Sequence, residues 1–261
     1  MQPMIDAHIH LDHYQEKEIE HIIFDDPFLH GLICVSYDLN SCKKNLALSK
    51  QFHKVRAAFG WHPEQEIIHD DDFNQLLSWI CANQNQMIAI GEVGLPYYKL
   101  KDNPSLSIES YVDVLQYFIQ LASKWSKPII LHAIYEDAPK VCDMLEKFNI
   151  KKAHFHWFKG DDKTIQRMIA NGYMISITPD VLYEVEIQRL VQQYPLQQMM
   201  VETDGPWPFK GPFQNKITHP SMMHQSMKAI ADLKQMSLET VYQTLYKNTI
   251  EFYQLKKEGC S

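Results

Sequence analysis

Eight short apolar runs, each followed by a stretch with helical spacing, constrain this chain more than any other feature. The runs are Met4–His10, Leu32–Ser36, Val55–Gly60, Met87–Glu92, Pro128–His132, Ala153–His156, Tyr173–Thr178 and Met199–Thr203. Between them lie helix-like segments such as Asp72–Asn83, Ser107–Ser123, Asp137–Phe148 and Lys163–Asn171, and the pair His219–Leu233 and Ser237–Leu255 follows the last strand. Alternating strand and helix implies a parallel sheet covered by helices. At 261 residues the chain has the length of a (β/α)8 barrel, a fold of about 250 residues. It is short for two ordinary domains and a linker, so one domain over residues 1–261 is expected.

An open doubly wound sheet is the alternative, and it would place a Gly-rich phosphate loop after one strand. The closest candidate, Gly91-Glu92-Val93-Gly94, is not followed by a helix start and puts a carboxylate where a phosphate would sit. Ligand-type residues instead lie at or just past the ends of five runs. That distribution suits a barrel, in which every strand's C-terminal end faces one mouth. The predicted fold is therefore an α/β (β/α)8 TIM barrel.

Side chains alternate along a strand, so His8 and His10 share a face. Simple alternation puts Asp6 with them toward the axis, and Ile5, Ala7 and Ile9 beneath the helices. The same rule aligns Ile88, Ile90 and Glu92, then Ile130 and His132, then His154 and His156, then Glu202 and Asp204. Buried carboxylates and imidazoles are costly unless paired or metal-bound. Several converging on one mouth call for one or two divalent cations. The expected ligands are His8, His10 and Asp204 for one ion and His132 and His156 for a second, with Glu92 bridging. Two ions about 3.5–4 Å apart activate a water and stabilise a leaving oxygen. Glu92 and Asp204 are the predicted catalytic carboxylates, Asp204 as general base. The mixed N/O donors suit Zn, Mn, Fe or Ni better than Mg. Asp6, Asp12 and Glu202 are expected to orient the imidazoles. His154, one layer deeper, reads as structural.

Taken in order, these segments resemble the TatD-type metal-dependent hydrolases, a branch of the amidohydrolase-like barrels, over nearly the whole chain. Met4-Ile5-Asp6-Ala7-His8-Ile9-His10-Leu11-Asp12 is similar to the opening D-x-H-x-H-L-D. Gly60-Trp61-His62-Pro63 resembles G-x-H-P, and Gly91-Glu92-Val93-Gly94-Leu95 resembles G-E-x-G-L. Pro128 leading to His132 is similar to P-x-x-x-H, His156-Trp157-Phe158-Lys159-Gly160 to H-x-F-x-G, and Glu202-Thr203-Asp204-Gly205-Pro206 to E-T-D-x-P. The resemblance implies a metal-dependent hydrolase, often of nucleic-acid phosphodiesters. The chain departs from the pattern at Pro96, where the family usually has Asp, and after His132, where a nearby Arg is missing. The helix pattern around Leu115–Ala122 is also blurred. Loss of the Arg removes a phosphate clamp and keeps an amide, ester or lactone hydrolase open as the alternative. A non-catalytic binding barrel fits the nearly complete ligand set poorly.

The net charge of −7 rules out a global basic field for nucleic acid. Locally, Lys99, Lys101, Lys159, Lys210 and Lys216 share post-strand segments with Trp61, Tyr97, Tyr98, Trp157, Trp207, Phe209 and Phe213, a mixture suited to single-stranded DNA. Glu64, Glu66 and Asp70-Asp71-Asp72 work against it. His62, Tyr97, Lys159 and Trp207 are the expected substrate contacts. Five cysteines without a C-x-x-C pair suggest a reducing compartment. With no basic stretch leading into an apolar core at the start, and no apolar run near the ~18 residues of a membrane span, a cytoplasmic location is expected. The oligomeric state is left open, and a monomer is compatible with all of these features.

Overall fold

The computed structural model describes residues 1–255. Its strands are β1 (Met4–Ile9), β2 (Leu29–Cys34), β3 (Val55–Phe59), β4 (Ala89–Gly94), β5 (Ile129–His132), β6 (Ala153–Phe155), β7 (Met174–Ile177) and β8 (Met199–Val201). They pair in parallel in sequence order from β1 to β8. The helices are α1 (Glu16–Phe24), α2 (Leu39–Gln51), α3 (Asp70–Asn83), α4 (Tyr97–Asp102), α5 (Glu109–Trp125), α6 (Asp137–Lys147), α7 (Asp162–Asn171), α8 (Val185–Gln193), α9 (Met223–Lys234) and α10 (Leu238–Tyr253). This is the expected (β/α)8 barrel. No described helix is long and apolar enough to cross a membrane. Cys34, Cys42 and Cys142 are buried and free, and Cys81 is exposed and free; Cys260 lies outside the described residues.

Two apolar layers follow from the double burial of parallel strands. The larger fills the space between barrel and helices, with Leu32, Phe59, Leu131, Phe155 and Ile177 packed on helical residues such as Ile22, Leu76, Phe118 and Leu145. The smaller is axial: Ile5, Ala7, Ile33, Val35, Ala58, Ala89, Ile130, Met174 and Met200, plugged by Ile250 and Tyr253 of α10.

The axial layer corrects two strand readings. Ile5 and Ala7 belong to it, whereas Asp6 pairs in register with Leu32, a residue of the outer layer. The register between β1 and β2 slips between Asp6 and Ile9. One extra residue in a strand reverses its face assignment, which is how Ala7 and the following His8 can both point inward. In β4, Ala89 is axial and Ile90 faces the helices. A second slip between Ile90 and Val93 then turns Glu92 inward. Simple alternation therefore holds for β5, β6 and β8 and fails in the two strands that supply His8, His10 and Glu92.

The seam between β8 and β1 closes at the site itself. Asp204 N–H donates to His8 O (3.0 Å) and His10 N–H to Gly205 O (2.8 Å). Asp6 accepts from Thr203 N–H (3.0 Å), from the Thr203 hydroxyl (2.5 Å) and from His8 N–H (3.2 Å). Asp6 is thus a barrel clasp and not a partner of an imidazole, because it sits on the far side of the β1 slip. Burial pushes its carboxyl up to about 7, against the opposing effect of the Thr203 hydrogen bonds.

A folded-state value above the unfolded one means that stability is fully present below about pH 4 and is lost as pH rises toward 7, by an amount on the order of a few kcal/mol. Urea unfolding of chelated protein across that range should show wild type losing stability relative to Asp6→Asn as pH rises. A pH-independent difference would contradict a buried acid at this position.

Candidate metal centre

Glycines let the strand ends converge. A Cβ on Gly60 would lie 2.6 Å from the Glu92 carbonyl oxygen, and one on Gly94 would strike the backbone of His132. These close approaches draw β3, β4 and β5 together around the Glu92 side chain, which is fully buried.

The two Glu92 oxygens face different partners. Oε2 lies 3.2 Å from His8 Nε2 and 3.2 Å from His10 Nε2. Asp204 Oδ1 completes that group at 3.3 Å from His8 Nε2 and 3.7 Å from His10 Nε2. On the other side, Oε1 lies 2.6 Å from His156 Nε2 and 3.1 Å from His132 Nδ1, and the two rings approach to 3.3 Å. The structure therefore brings all six predicted ligands into two half-sites that share one carboxylate.

The donor set fits divalent ions. His8 Nε2, Glu92 Oε2 and Asp204 Oδ1 are buried without a hydrogen-bond partner, a costly state for polar atoms. Donor atoms about 3.3 Å apart match a tetrahedral ion with bonds of about 2.0–2.1 Å. Burial opposes ionisation of Glu92, but the surrounding imidazoles, His156 foremost, outweigh it and hold the carboxyl well below its ordinary value. Burial and the His156 charge act against protonating His8, yet Glu92 and Asp204 raise it to about 9. His156 is raised in the same way, by Glu92 and Glu202 against burial.

Support behind the ligands is uneven. Glu202 accepts from Trp157 N–H (2.8 Å) and from Ser176 Oγ (2.5 Å), and its Oε1 lies 3.8 Å from His156 Nδ1. Ser176 Oγ in turn accepts a hydrogen bond from His154 Nε2–H (2.5 Å). That leaves His154 Nδ1 to accept from the Tyr253 hydroxyl (2.7 Å). Burial pulls His154 down to about 3, so it is a neutral link in a chain from α10 to Glu202. Asp12 does not meet its expected role: its Oδ2 lies 3.6 Å from His13 Nε2, while His10 Nδ1 has no hydrogen-bond partner.

His62 sits 3.5 Å from Glu92 Oε1 through Nε2. Geometry alone groups it with Glu92 and His132 as possible metal donors. Its Nδ1, however, accepts from Glu64 N–H (3.1 Å), and burial keeps the ring neutral, outweighing the pull of Glu92. The single proton of a neutral ring must then sit on Nε2. His62 faces the site as a donor and has no lone pair there for an ion.

Above these groups opens a cavity of about 390 Å³, lined by His10, His62, Glu64, Tyr98, Lys99, Asp102, His132, His156, Trp157, Asp204 and Trp207. Two of the four expected substrate contacts, His62 and Trp207, line it. Tyr98 takes the place expected for Tyr97, which packs on Tyr135 instead. Trp157 takes the place of Lys159, whose ammonium lies 4.9 Å from the centroid of the Trp157 ring. Trp61, Phe209 and Phe213 are buried packing residues, and Lys99 is paired with Glu66 at 2.6 Å. The cation-and-aromatic rim is thus narrower than the sequence suggests. Asp204 (φ 52°) and Trp157 (φ 37°) both adopt left-handed backbone, a costly conformation that clusters at functional sites.

A family model described as TatD related DNase matches residues 5–254. An uncharacterized metal-dependent hydrolase of Haemophilus influenzae is 36% identical over 253 residues, 97% of this chain and 100% of that one. A human protein named deoxyribonuclease TATDN3 is 27% identical over 231 residues, 85% of this chain and 83% of that one. The crystal structure of YJJV, a TATD homolog from Escherichia coli K12, has a TM-score of 0.86 at 22% identity, covering 97% of this chain and 98% of that one.

The two half-sites separate by mutation. Elemental analysis after metal loading should find that His156→Gln loses the ion of one half and keeps that of the other. His154→Gln should retain both, and Glu92→Gln should lose both. Equal loss in His154→Gln and His156→Gln would contradict the division of roles along β6.

Proposed function

The chain belongs to the TatD-related DNase family, and from that premise we propose that it is a divalent-metal-dependent phosphodiesterase acting on single-stranded DNA near an end. One observation carries the reading: a shared carboxylate between two imidazole groups, at the floor of a cavity walled by Tyr98, Trp157 and Trp207. The volume of about 390 Å³ lies in the range of small-ligand sites, about 300–1,000 Å³.

His8, His10 and Asp204 would hold one ion, His132 and His156 the other, and Glu92 both. When bound, such ions supply Lewis acidity toward the phosphoryl oxygens and make water a competent nucleophile near neutral pH. Asp204 holds a buried carboxylate oxygen at the cavity floor, where it orients the attacking water and receives its proton. His62 aims a neutral Nε2–H at the same space and donates to the oxygen that gains negative charge. Tyr98 and Trp207, 42% and 49% exposed, present ring faces on which bases stack, at about 1–3 kcal/mol per base. Lys99 is the one lysine or arginine among the described residues lining the cavity, and it is tied to Glu66, so the cavity itself offers no long phosphate track. That favours an end over an internal segment.

The runner-up is hydrolysis of a carboxylic ester, amide or lactone. No arginine lines the cavity among the described residues, which favours an uncharged substrate over a phosphate.

One assay separates the two. Metal-loaded protein is offered single-stranded oligonucleotides, duplex DNA and a panel of esters and amides, with and without chelator. Chelator-sensitive shortening of single strands from an end is expected. With one or two phosphates neutralised, log K should fall with log salt at a slope of about −0.7 to −1.4. Turnover of the ester panel alone would overturn the nucleic-acid reading.

Two variants test the assigned roles. Asp204→Asn should abolish turnover in a folded barrel. His62→Ala should lower kcat by about 10²–10³, the usual cost of one charge-stabilising donor, with metal content unchanged. Loss of an ion in His62→Ala would instead make it a ligand.

A further inference from the structure

We infer that Glu64 is a positioning residue that locks the His132 ring for metal binding and fastens the cavity rim to the same point. The inference deepens the proposed function and rests on His132 acting through Nδ1. With Nδ1 turned toward Glu92 and His156, a neutral ring must carry its proton on Nε2. Glu64 Oε1 lies 3.1 Å from that nitrogen and accepts a hydrogen bond from its N–H. A carboxylate behind an imidazole fixes both its tautomer and its orientation. By contrast, His8 Nδ1, His10 Nδ1 and His156 Nδ1 have no hydrogen-bond partner, so His132 is held from behind most firmly of the four rings.

The same carboxylate carries a second load. Oε1 also accepts from Tyr98 N–H (2.8 Å), and Oε2 accepts from Lys99 N–H (2.9 Å). These amides open the short helix α4, whose Tyr98, Lys99 and Asp102 form one wall of the cavity. Glu64 N–H meanwhile fixes the His62 tautomer. Directly after Pro63, the Glu64 carboxylate therefore joins a metal ligand to the aromatic rim, while its backbone N–H holds the substrate donor His62. Its carboxylate is mostly shielded, with 13% of the side chain exposed, and is satisfied by N–H donors instead of a cation. An acid that looks in sequence like one more repulsive charge near the mouth is in the structure a clasp.

The test compares wild type with Glu64→Ala and Glu64→Gln, using chelated protein titrated with manganese or zinc and no substrate. Calorimetry should show affinity for the ion of the His132/His156 half weakened tenfold or more, the usual range for such supporting groups being about 10–100-fold, with the other half unchanged. Hydrogen exchange should show faster amide exchange at Tyr98 and Lys99. Glu64→Gln keeps one acceptor oxygen and should fall between wild type and Glu64→Ala in both readouts; it also serves if Glu64→Ala does not fold. Wild-type affinity at both half-sites, or unchanged exchange in α4, would overturn the inference. Neither readout uses DNA, so an inactive wild type would sink the proposed function while leaving this result to stand or fall alone.

Discussion

A carboxylate buried at the top of a barrel, with an imidazole close to each face of it, is the constraint on which this structure is organised. Glu92 has no exposed surface and cannot be left uncompensated in a low-dielectric interior. Three strands answer it with imidazoles, β1 with two and β5 and β6 with one each, while the end of β8 adds Asp204, which shares His8 and His10 with it. The fold supplies that convergence because all eight strands run the same way and end at one rim. The local costs sit at the rim too, in the left-handed backbone of Asp204 and Trp157 and in glycines that let neighbouring strands touch.

Much of this was legible in the sequence because parallel strands and barrel mouths leave strong periodic marks. In β5, β6 and β8, inward residues fall on every second position, so Ile130 with His132, His154 with His156, and Glu202 with Asp204 could be assigned correctly. In β1 and β4 the assignment of faces fails, although the structure still brings His8, His10 and Glu92 together. A register slip between Asp6 and Ile9, and another between Ile90 and Val93, reverses the phase partway along each strand. Sequence alternation contains no term for such a slip, since it depends on how the neighbouring strand pairs. Asp6 was misplaced for that reason, and it serves the β1–β8 seam instead of an imidazole.

The residues that support the site were harder to find. Glu64 lies in an acidic stretch, and the contacts of its carboxylate are 34, 35 and 68 positions away in sequence. Ser176 joins His154 to Glu202 across three different strands. Choosing Tyr98 over Tyr97 depends on which face of the short helix α4 is turned inward, and choosing Trp157 over Lys159 on how a loop is turned; composition does not encode either. The only foreshadowing of Glu64 is its position directly after His62-Pro63, where a rigid turn carries it back over the mouth.

The most direct measurement is anomalous diffraction from crystals loaded with manganese or zinc. Two peaks about 3.5–4 Å apart, each bonded to a different Glu92 oxygen, with His8, His10 and Asp204 on one and His132 and His156 on the other, are the result this account requires. Ions bound elsewhere, or the six side chains splayed beyond bonding distance of any ion, would contradict it.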